Sequence, residues 1–216
     1  MQFHDREQAG RELAVRLRIE QEKGMLPDPL VLALPRGGVT VAQEVASALD
    51  APLDVLVVRK IGVPYEEELG VGAIVGDDDP LYDEQFLDQL GLGDAELAPV
   101  VEREREELHR REDLYREGRP APGLRGRTVI VVDDGLATGS TARAALRFVR
   151  RRGPARLVLA VPVGSPDAAD RLRPEADEVL CLQRPPAFMA VGNFYEDFEQ
   201  LTDDDVLRAL HTTAEP

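Results

Sequence analysis

The sequence predicts an α/β protein with a doubly wound, mainly parallel central sheet and helices on both faces. Two patterns carry this. Short runs of β-branched and aliphatic residues recur at 30–34, 54–58, 129–132, 156–163 and 178–182. They are apolar at nearly every position, as strands covered on both faces are. Between several of them lie segments with apolar residues at helical spacing, the βαβ rhythm that implies right-handed crossovers.

In chain order, Asp5 is placed to cap a first helix, with Gln8 three residues on in a capping-box pattern. Ala9, Leu13 and Leu17 form its stripe, and Gly24, Pro27 and Pro29 end it near Lys23. The run 30–34 reads as a strand that stops at Pro35-Arg36-Gly37-Gly38. A helix over about 39–49 follows, with Val41, Ala42, Val45 and Leu49 inward. The next strand is read as 54–58, ending at Arg59-Lys60. Residues 61–69 are expected to be irregular, 71–75 a short strand and 77–80 a solvated turn. Helices are expected at 84–90 and 94–118, the second a charged, solvated helix with Glu106 and Glu107 preceding Arg110 and Arg111 at i,i+4. Residues 120–126 read as a linker into the strand at 129–132. A helix then begins at Ser140, with Ala142, Ala145, Leu146 and Val149 inward, and ends in Arg150-Arg151-Arg152-Gly153. Basic residues in a last turn complement the helix dipole, so these arginines need no nucleic acid to explain them. A strand at 156–163, a short helix at 167–172, a strand at 178–182 and a last helix over about 203–210 complete the chain.

Composition narrows the function. The 216 residues suffice for one α/β domain, read as 1–216. A net charge of −15, from 26 basic and 41 acidic residues, disfavours nonspecific binding to nucleic acid or anionic membrane. The single cysteine, Cys181, sits in an apolar run and reads as a buried structural thiol. The first residues lack a signal-peptide pattern and no run approaches a membrane span, so a soluble cytoplasmic protein is expected.

The chemistry concentrates after the strand at 129–132. Asp133 and Asp134 end it, and Gly135-Leu136-Ala137-Thr138-Gly139-Ser140-Thr141 leads straight into a helix. Backbone N–H groups in such a loop, with the partial positive charge of a helix N-terminus, make an anion site. Acids at the carboxyl end of a sheet strand lie where open α/β sheets bind ligands. A phosphate cradle beside carboxylates suited to hydroxyls describes a sugar phosphate. Neither the P-loop pattern nor a G-x-G-x-x-G after a strand is present.

Residues 129–141 closely resemble the diphosphate-sugar signature of type I phosphoribosyltransferases. Pro35-Arg36-Gly37-Gly38 matches the position of that family's pyrophosphate loop, and Arg59-Lys60 its basic residues before a mobile flap. Tyr65 and Glu66 to Glu68 lie where such a flap closes, or form a solvated turn. Phe3-x-Asp5-Arg6-x3-Gly10, the Arg-rich helix with Tyr115-Arg116, and the Phe-rich tail resemble one bacterial subgroup of the family. The resemblance implies the type I phosphoribosyltransferase fold with a helical insertion at 94–118 and a small C-terminal hood at 183–216. It also implies a cis peptide in the pyrophosphate loop, a dimer, and phosphoribosyl diphosphate as ligand with Mg2+. By this likeness Ala137, Thr138, Gly139, Ser140 and Thr141 hold the 5′-phosphate and Asp133 and Asp134 the ribose hydroxyls. Arg36, Gly37, Gly38 and Lys60 neutralise the pyrophosphate, with Arg59 beside them. Magnesium is held mainly by the diphosphate, with Asp133 and Asp134 as its nearest acids.

The expected reaction moves a 5-phosphoribosyl group to a nitrogenous acceptor and releases pyrophosphate. Where 6-oxopurine transferases carry a further Asp, this chain has Ala137, which argues against a hypoxanthine or guanine acceptor. Pro186, Phe188, Phe194 and Tyr195 offer the hood an apolar or stacking surface for the acceptor, or ordinary lid packing. The alternative is a noncatalytic sensor of phosphoribosyl diphosphate or nucleotides that signals through protein contacts of the charged helix. A metal-dependent phosphatase is weaker, since His4, His109 and His211 do not cluster in sequence.

Overall fold

A computed structural model describes residues 2–214, and of these the side chains of Glu67, Glu68, Thr213 and Ala214 lie outside the description. Two of the three glutamates expected in the flap, Glu67 and Glu68, are thus outside the described side chains. Five strands form the main sheet: β1 (Pro29–Ala33), β2 (Leu53–Val55), β6 (Thr128–Val132), β7 (Arg156–Val163) and β8 (Glu178–Gln183). Their order is β2-β1-β6-β7-β8 and every pairing is parallel. From β1 the chain winds toward one edge, and from β6 toward the other. The reversal falls between β1 and β6, whose carboxyl ends lie side by side.

Period-two alternation divides the core. Leu30, Leu32, Val129, Val131, Leu157 and Leu159 pack toward α5 (Ser140–Arg151) and α6 (Pro166–Leu172). Val31, Ala33, Ile130, Val132, Val158 and Ala160 pack toward α1 (Arg6–Glu22) and α2 (Gly38–Leu49). Each fully buried Leu or Val contributes about 1.5–3 kcal/mol relative to exposure. Asp5 caps α1 by accepting from the Gln8 N–H at 2.7 Å. The reciprocal bond is displaced by one residue: Gln8 Oε1 accepts from the His4 N–H. Gly10 lets α1 and α2 close up, since a Cβ there would lie 2.9 Å from Glu44 Cβ.

Three expectations are corrected. The strand read at 54–58 is two strands. β2 stays in the main sheet, whereas β3 (Val58–Val63) leaves it to pair antiparallel with β4 (Glu66–Val75), and β5 (Leu81–Tyr82) joins β4. The segment 61–69 is therefore the tip of a β-hairpin rather than irregular chain. Its register shifts between Ile61 and Val63, and that bulge hides the alternation a strand would show. Third, α4 (Asp94–Arg116) is not solvated all round. It buries Leu97, Val100, Leu108 and Tyr115 in the same core as α1 and α2, and packs chiefly on β3. The short helix α3 (Glu84–Leu90) precedes it. The turn at 77–80 also has partners: Asp78 accepts from Arg152 at 3.2 Å, and Asp77 meets His109 at 2.9 Å.

The tail after β8 crosses back to the N-terminus. The N–H of Phe3 donates to Phe194 O at 2.8 Å, and Glu196 and Asp197 donate to the carbonyls of Phe3 and His4. The chain then enters α7 (Asp203–Ala214), four residues longer than expected. Cys181 is half-buried, and burial pushes its thiol pKa up, consistent with a packing role. Among the described residues no helix is long and apolar enough to cross a membrane.

Candidate active site

The site is assembled by the two strands at the reversal. β1 ends in Leu34-Pro35-Arg36-Gly37 and α2 starts at Gly38; β6 ends in Asp133-Asp134 and α5 starts at Ser140. Two helix N-termini therefore open on one crevice, each bringing partial positive charge; at α2 the Gly38 and Val39 N–H groups already donate to Leu34 O and Arg36 O, at 3.0 and 3.2 Å. The Leu34 N–H donates to Val132 O at 2.9 Å, extending the β1–β6 ladder to the edge of the site. The Pro35–Arg36 peptide is cis.

Close approach explains the glycines. A Cβ on Gly37 would stand 2.1 Å from Asp134 Oδ2, and one on Gly38 would stand 2.7 Å from Val132 O and 2.9 Å from Asp133 Cα. Only residues without side chains let this loop lie on the acid pair. Gly139 turns into α5 with φ of 80°, a left-handed conformation suited to glycine. Beside it the Thr138 and Ser140 hydroxyls lie 3.1 Å apart.

The acids have different surroundings. Asp133 Oδ1 accepts from the Asp134 N–H at 2.9 Å. Burial pushes the Asp133 carboxyl well above the usual carboxylate range, and the neighbouring Asp134 charge pushes the same way. Asp134 is also raised by burial, while Arg6 opposes the rise. Arg6 Nε donates to Asp134 Oδ2 at 3.0 Å, with side chains only 10% and 14% exposed. Tyr195 is buried beside Phe3 and donates its hydroxyl to Asp134 O at 2.6 Å.

Two cavities flank these groups. One, of about 510 Å³, is lined by Arg36, Gly37, Asp133, Asp134, Thr141 and Phe198, among others. The other, of about 240 Å³, lies between the hairpin and the α5 start, lined by Lys60, Tyr82, Thr138, Ser140 and Arg143 among others. The loop carrying residues 138–141 borders both. Lys60 is exposed in the second cavity, and its charge acts on Asp133. Arg59, one residue earlier on β3, points the other way and pairs with Glu104 of α4 at 2.7 Å. Ala137 is exposed and its carbonyl accepts from Ser165 Oγ at 3.2 Å. Arg36 lies 4.0 Å from Asp203, the carboxylate that also accepts from Tyr115 Oη at 2.6 Å.

The tail aromatics are not free platforms. Phe188 and Phe194 stack on each other, 5.4 Å between centroids, and Tyr195 supports Asp134 from beneath. Phe198, Gln200 and Leu201 are the tail residues that reach the acid pair's cavity. Arg6 is not among the site residues expected from the sequence. Its signal is nonetheless there: it falls in line with Gly10, Leu13 and Leu17, a charge on the buried face of α1.

With the geometry in place, comparison with known proteins assigns the family. A sequence profile of the phosphoribosyl transferase domain matches residues 2–199. The chain belongs to the phosphoribosyltransferase family. A Mycobacterium tuberculosis protein whose name assigns it provisionally to the phosphoribosyl transferases is 46% identical over 208 residues. That match covers 96% of this chain and 46% of the relative, so the chain spans about half the length of the curated relatives it matches. A crystal structure from Thermus thermophilus superposes with a TM-score of 0.82 at 42% identity, covering all of both chains. A purine phosphoribosyltransferase of Pyrococcus horikoshii shares the fold at 16% identity, with a TM-score of 0.50 over 91% of this chain and 92% of its own. The observed doubly wound sheet is thus the type I phosphoribosyltransferase fold.

Proposed function

We propose that this protein transfers a 5-phosphoribosyl group from phosphoribosyl diphosphate to a nitrogenous heterocycle other than a 6-oxopurine, releasing pyrophosphate. The observation that carries the proposal is the convergence of two helix N-termini, those of α2 and α5, on one crevice that holds Asp133 and Asp134 between them. Anion sites on both sides of a carboxylate pair match a sugar with a phosphate at one end and a diphosphate at the other.

In this reading the backbone and hydroxyls of residues 137–141 hold the 5′-phosphate. Asp133 and Asp134 accept hydrogen bonds from the two ribose hydroxyls. As the C1–O bond breaks, positive charge grows on the sugar, and a nearby carboxylate favours it more than the neutral ground state. Arg36 and the Gly37 amide take the charge left on the departing diphosphate, with Gly38, whose own N–H donates to Leu34 O, giving the close backbone approach and Lys60 approaching from the hairpin. For Arg36 this means exchanging the long contact with Asp203 for the diphosphate. The protein's contribution is positioning and preorganised charge.

The donor set suits magnesium bound mainly through its ligand. Among the described residues no group of three or more His, Cys, Asp or Glu side chains converges to hold a metal. Asp133 and Asp134 offer the nearest oxygens, and Asp134 already shares one with Arg6. Mg2+ retains several waters and takes substrate oxygens readily. When bound, it would supply charge neutralisation on the diphosphate.

Ala137 supports an acceptor other than a 6-oxopurine, because no carboxylate stands there to accept from a purine N–H. The sensor alternative places its partner on the charged helix; α4 spends Glu104, Arg105, Arg111 and Arg116 on contacts within the chain. The test is pyrophosphate release from phosphoribosyl diphosphate and Mg2+ with a panel of heterocyclic bases. Release with one acceptor class supports transfer, and ligand binding without release from any base overturns it.

A further inference from the structure

Arg6 joins three elements through one guanidinium. Nε donates to Asp134 Oδ2 at 3.0 Å, and Nη1 donates to Glu199 O at 2.9 Å. Its Cζ lies 3.8 Å above the centroid of Phe198, a residue lining the acid pair's cavity. A planar, permanently charged fork can hold a carboxylate and a carbonyl while stacking on a ring; an ammonium cannot. Desolvating such a pair is costly, and apolar side chains of similar volume would stabilise the fold as well or better. An ion pair at the wall of the cavity is better explained by orientation than by stability.

We propose that Arg6 is a positioning residue for phosphoribosyl transfer: it holds the Asp134 carboxylate beneath Gly37 and ties Phe198 and Glu199 across the acid pair, so that the ribose site and the tail assemble as one unit. The inference rests on the function proposed above. It also accounts for the sequence Phe3-x-Asp5-Arg6: Phe3 pairs with the tail backbone, Asp5 caps α1, and the first turn of α1 then aims Arg6 at Asp134.

Several groups face the pair. Arg6 comes from α1, Lys60 from β3, Arg36 from the loop after β1, and the Tyr195 hydroxyl meets the Asp134 carbonyl from the tail. Asp133 and Asp134 act on each other. Of the cations, Arg6 alone is hydrogen-bonded to a carboxylate of the pair among the described residues. Removing it takes away the one side-chain hydrogen bond that fixes the Asp134 carboxylate among the described residues.

The test compares wild type, Arg6→Gln and Arg6→Lys by two readouts. The first, without ligand, is a crystal structure, read for the position of the Asp134 carboxylate and of Phe198 and Glu199. The second separates kcat from KM for phosphoribosyl diphosphate. Arg6→Gln is expected to release the carboxylate and the tail from their places and to lower kcat/KM about 100-fold, with kcat carrying part of the loss. Arg6→Lys is expected to restore part of the activity. The proposal is overturned if folded Arg6→Gln keeps Asp134, Phe198 and Glu199 where wild type has them, or if activity falls only in proportion to folded protein. If Arg6→Gln does not fold, Arg6→Lys decides: Asp134 held in place with partial activity supports the role. Failure of both variants to fold assigns Arg6 a structural role instead. Inactive wild type defeats the proposed function, while the structural arm still shows whether Arg6 governs Asp134.

Discussion

Gly37 and Asp134 are matched in space: a methyl on Gly37 would lie 2.1 Å from Asp134 Oδ2. The loop after β1 and the acid pair after β6 therefore form one object. Gly37→Ala must push either the loop or the carboxylate out of place. Overpacking of this kind destabilises by about 1–3 kcal/mol. The larger expected effect is on function, a loss of about 100-fold in kcat/KM because both halves of the site shift. Steady-state kinetics beside a denaturant titration separates the two.

Asp133 is buried in surroundings that disfavour its charge. Its folded pKa is raised, so its contribution to stability is present at low pH and lost as pH rises through the folded value. At neutral pH the free protein carries that penalty. Asp133→Asn removes it, and is expected to stabilise the ligand-free protein by about 1 kcal/mol while abolishing transfer. Thermal unfolding at pH 7.5 and at pH 5 checks the sign: the gain over wild type should shrink at the lower pH.

The same shift sets the acid limb of activity. Ionised carboxylates favour the cationic sugar, so kcat/KM should fall as the pair gains a proton. Because both pKa values are raised, the limb is expected above the ordinary carboxylate range of about 4. A profile flat down to that value would show that the pair's charge is not used.

The charged helix is expected to be needed for folding. Leu108 of α4 is fully buried, and Leu108→Ala should cost about 2–5 kcal/mol, readable in a urea titration. Deleting 94–118 should abolish cooperative unfolding rather than release a partner. Glu107 adds a pH effect of opposite sign. Arg110 and then Arg111 hold its pKa down at about 2, so its contribution is present at neutral pH and fades between about 4.5 and 2. With Glu107 28% exposed, screening keeps that contribution small.

How legible this was in the sequence varied with the physics. Strands buried on both faces announce themselves, and β6, β7 and β8 lie within a residue or two of where the pattern puts them. The acid pair and the small-residue loop were readable because their chemistry is local. The β3–β4 hairpin was not, because its glycines and bulge break alternation. The burial of α4 was obscured because Leu97, Val100, Leu108 and Tyr115 make a sparse seam among charges that find partners elsewhere in the fold. Arg6 and Tyr195 were missed as supports of Asp134 because each acts across more than 60 residues of sequence, a relation only the fold reveals.

Everything proposed for this site depends on one sugar diphosphate spanning both helix N-termini. A crystal structure of the protein with phosphoribosyl diphosphate and Mg2+ decides the point. The 5′-phosphate is expected on residues 137–141, the ribose hydroxyls on Asp133 and Asp134, and the diphosphate against Arg36, Gly37 and Gly38. A ligand bound with its sugar away from Asp133 and Asp134, or outside this crevice altogether, is incompatible with the proposed reaction.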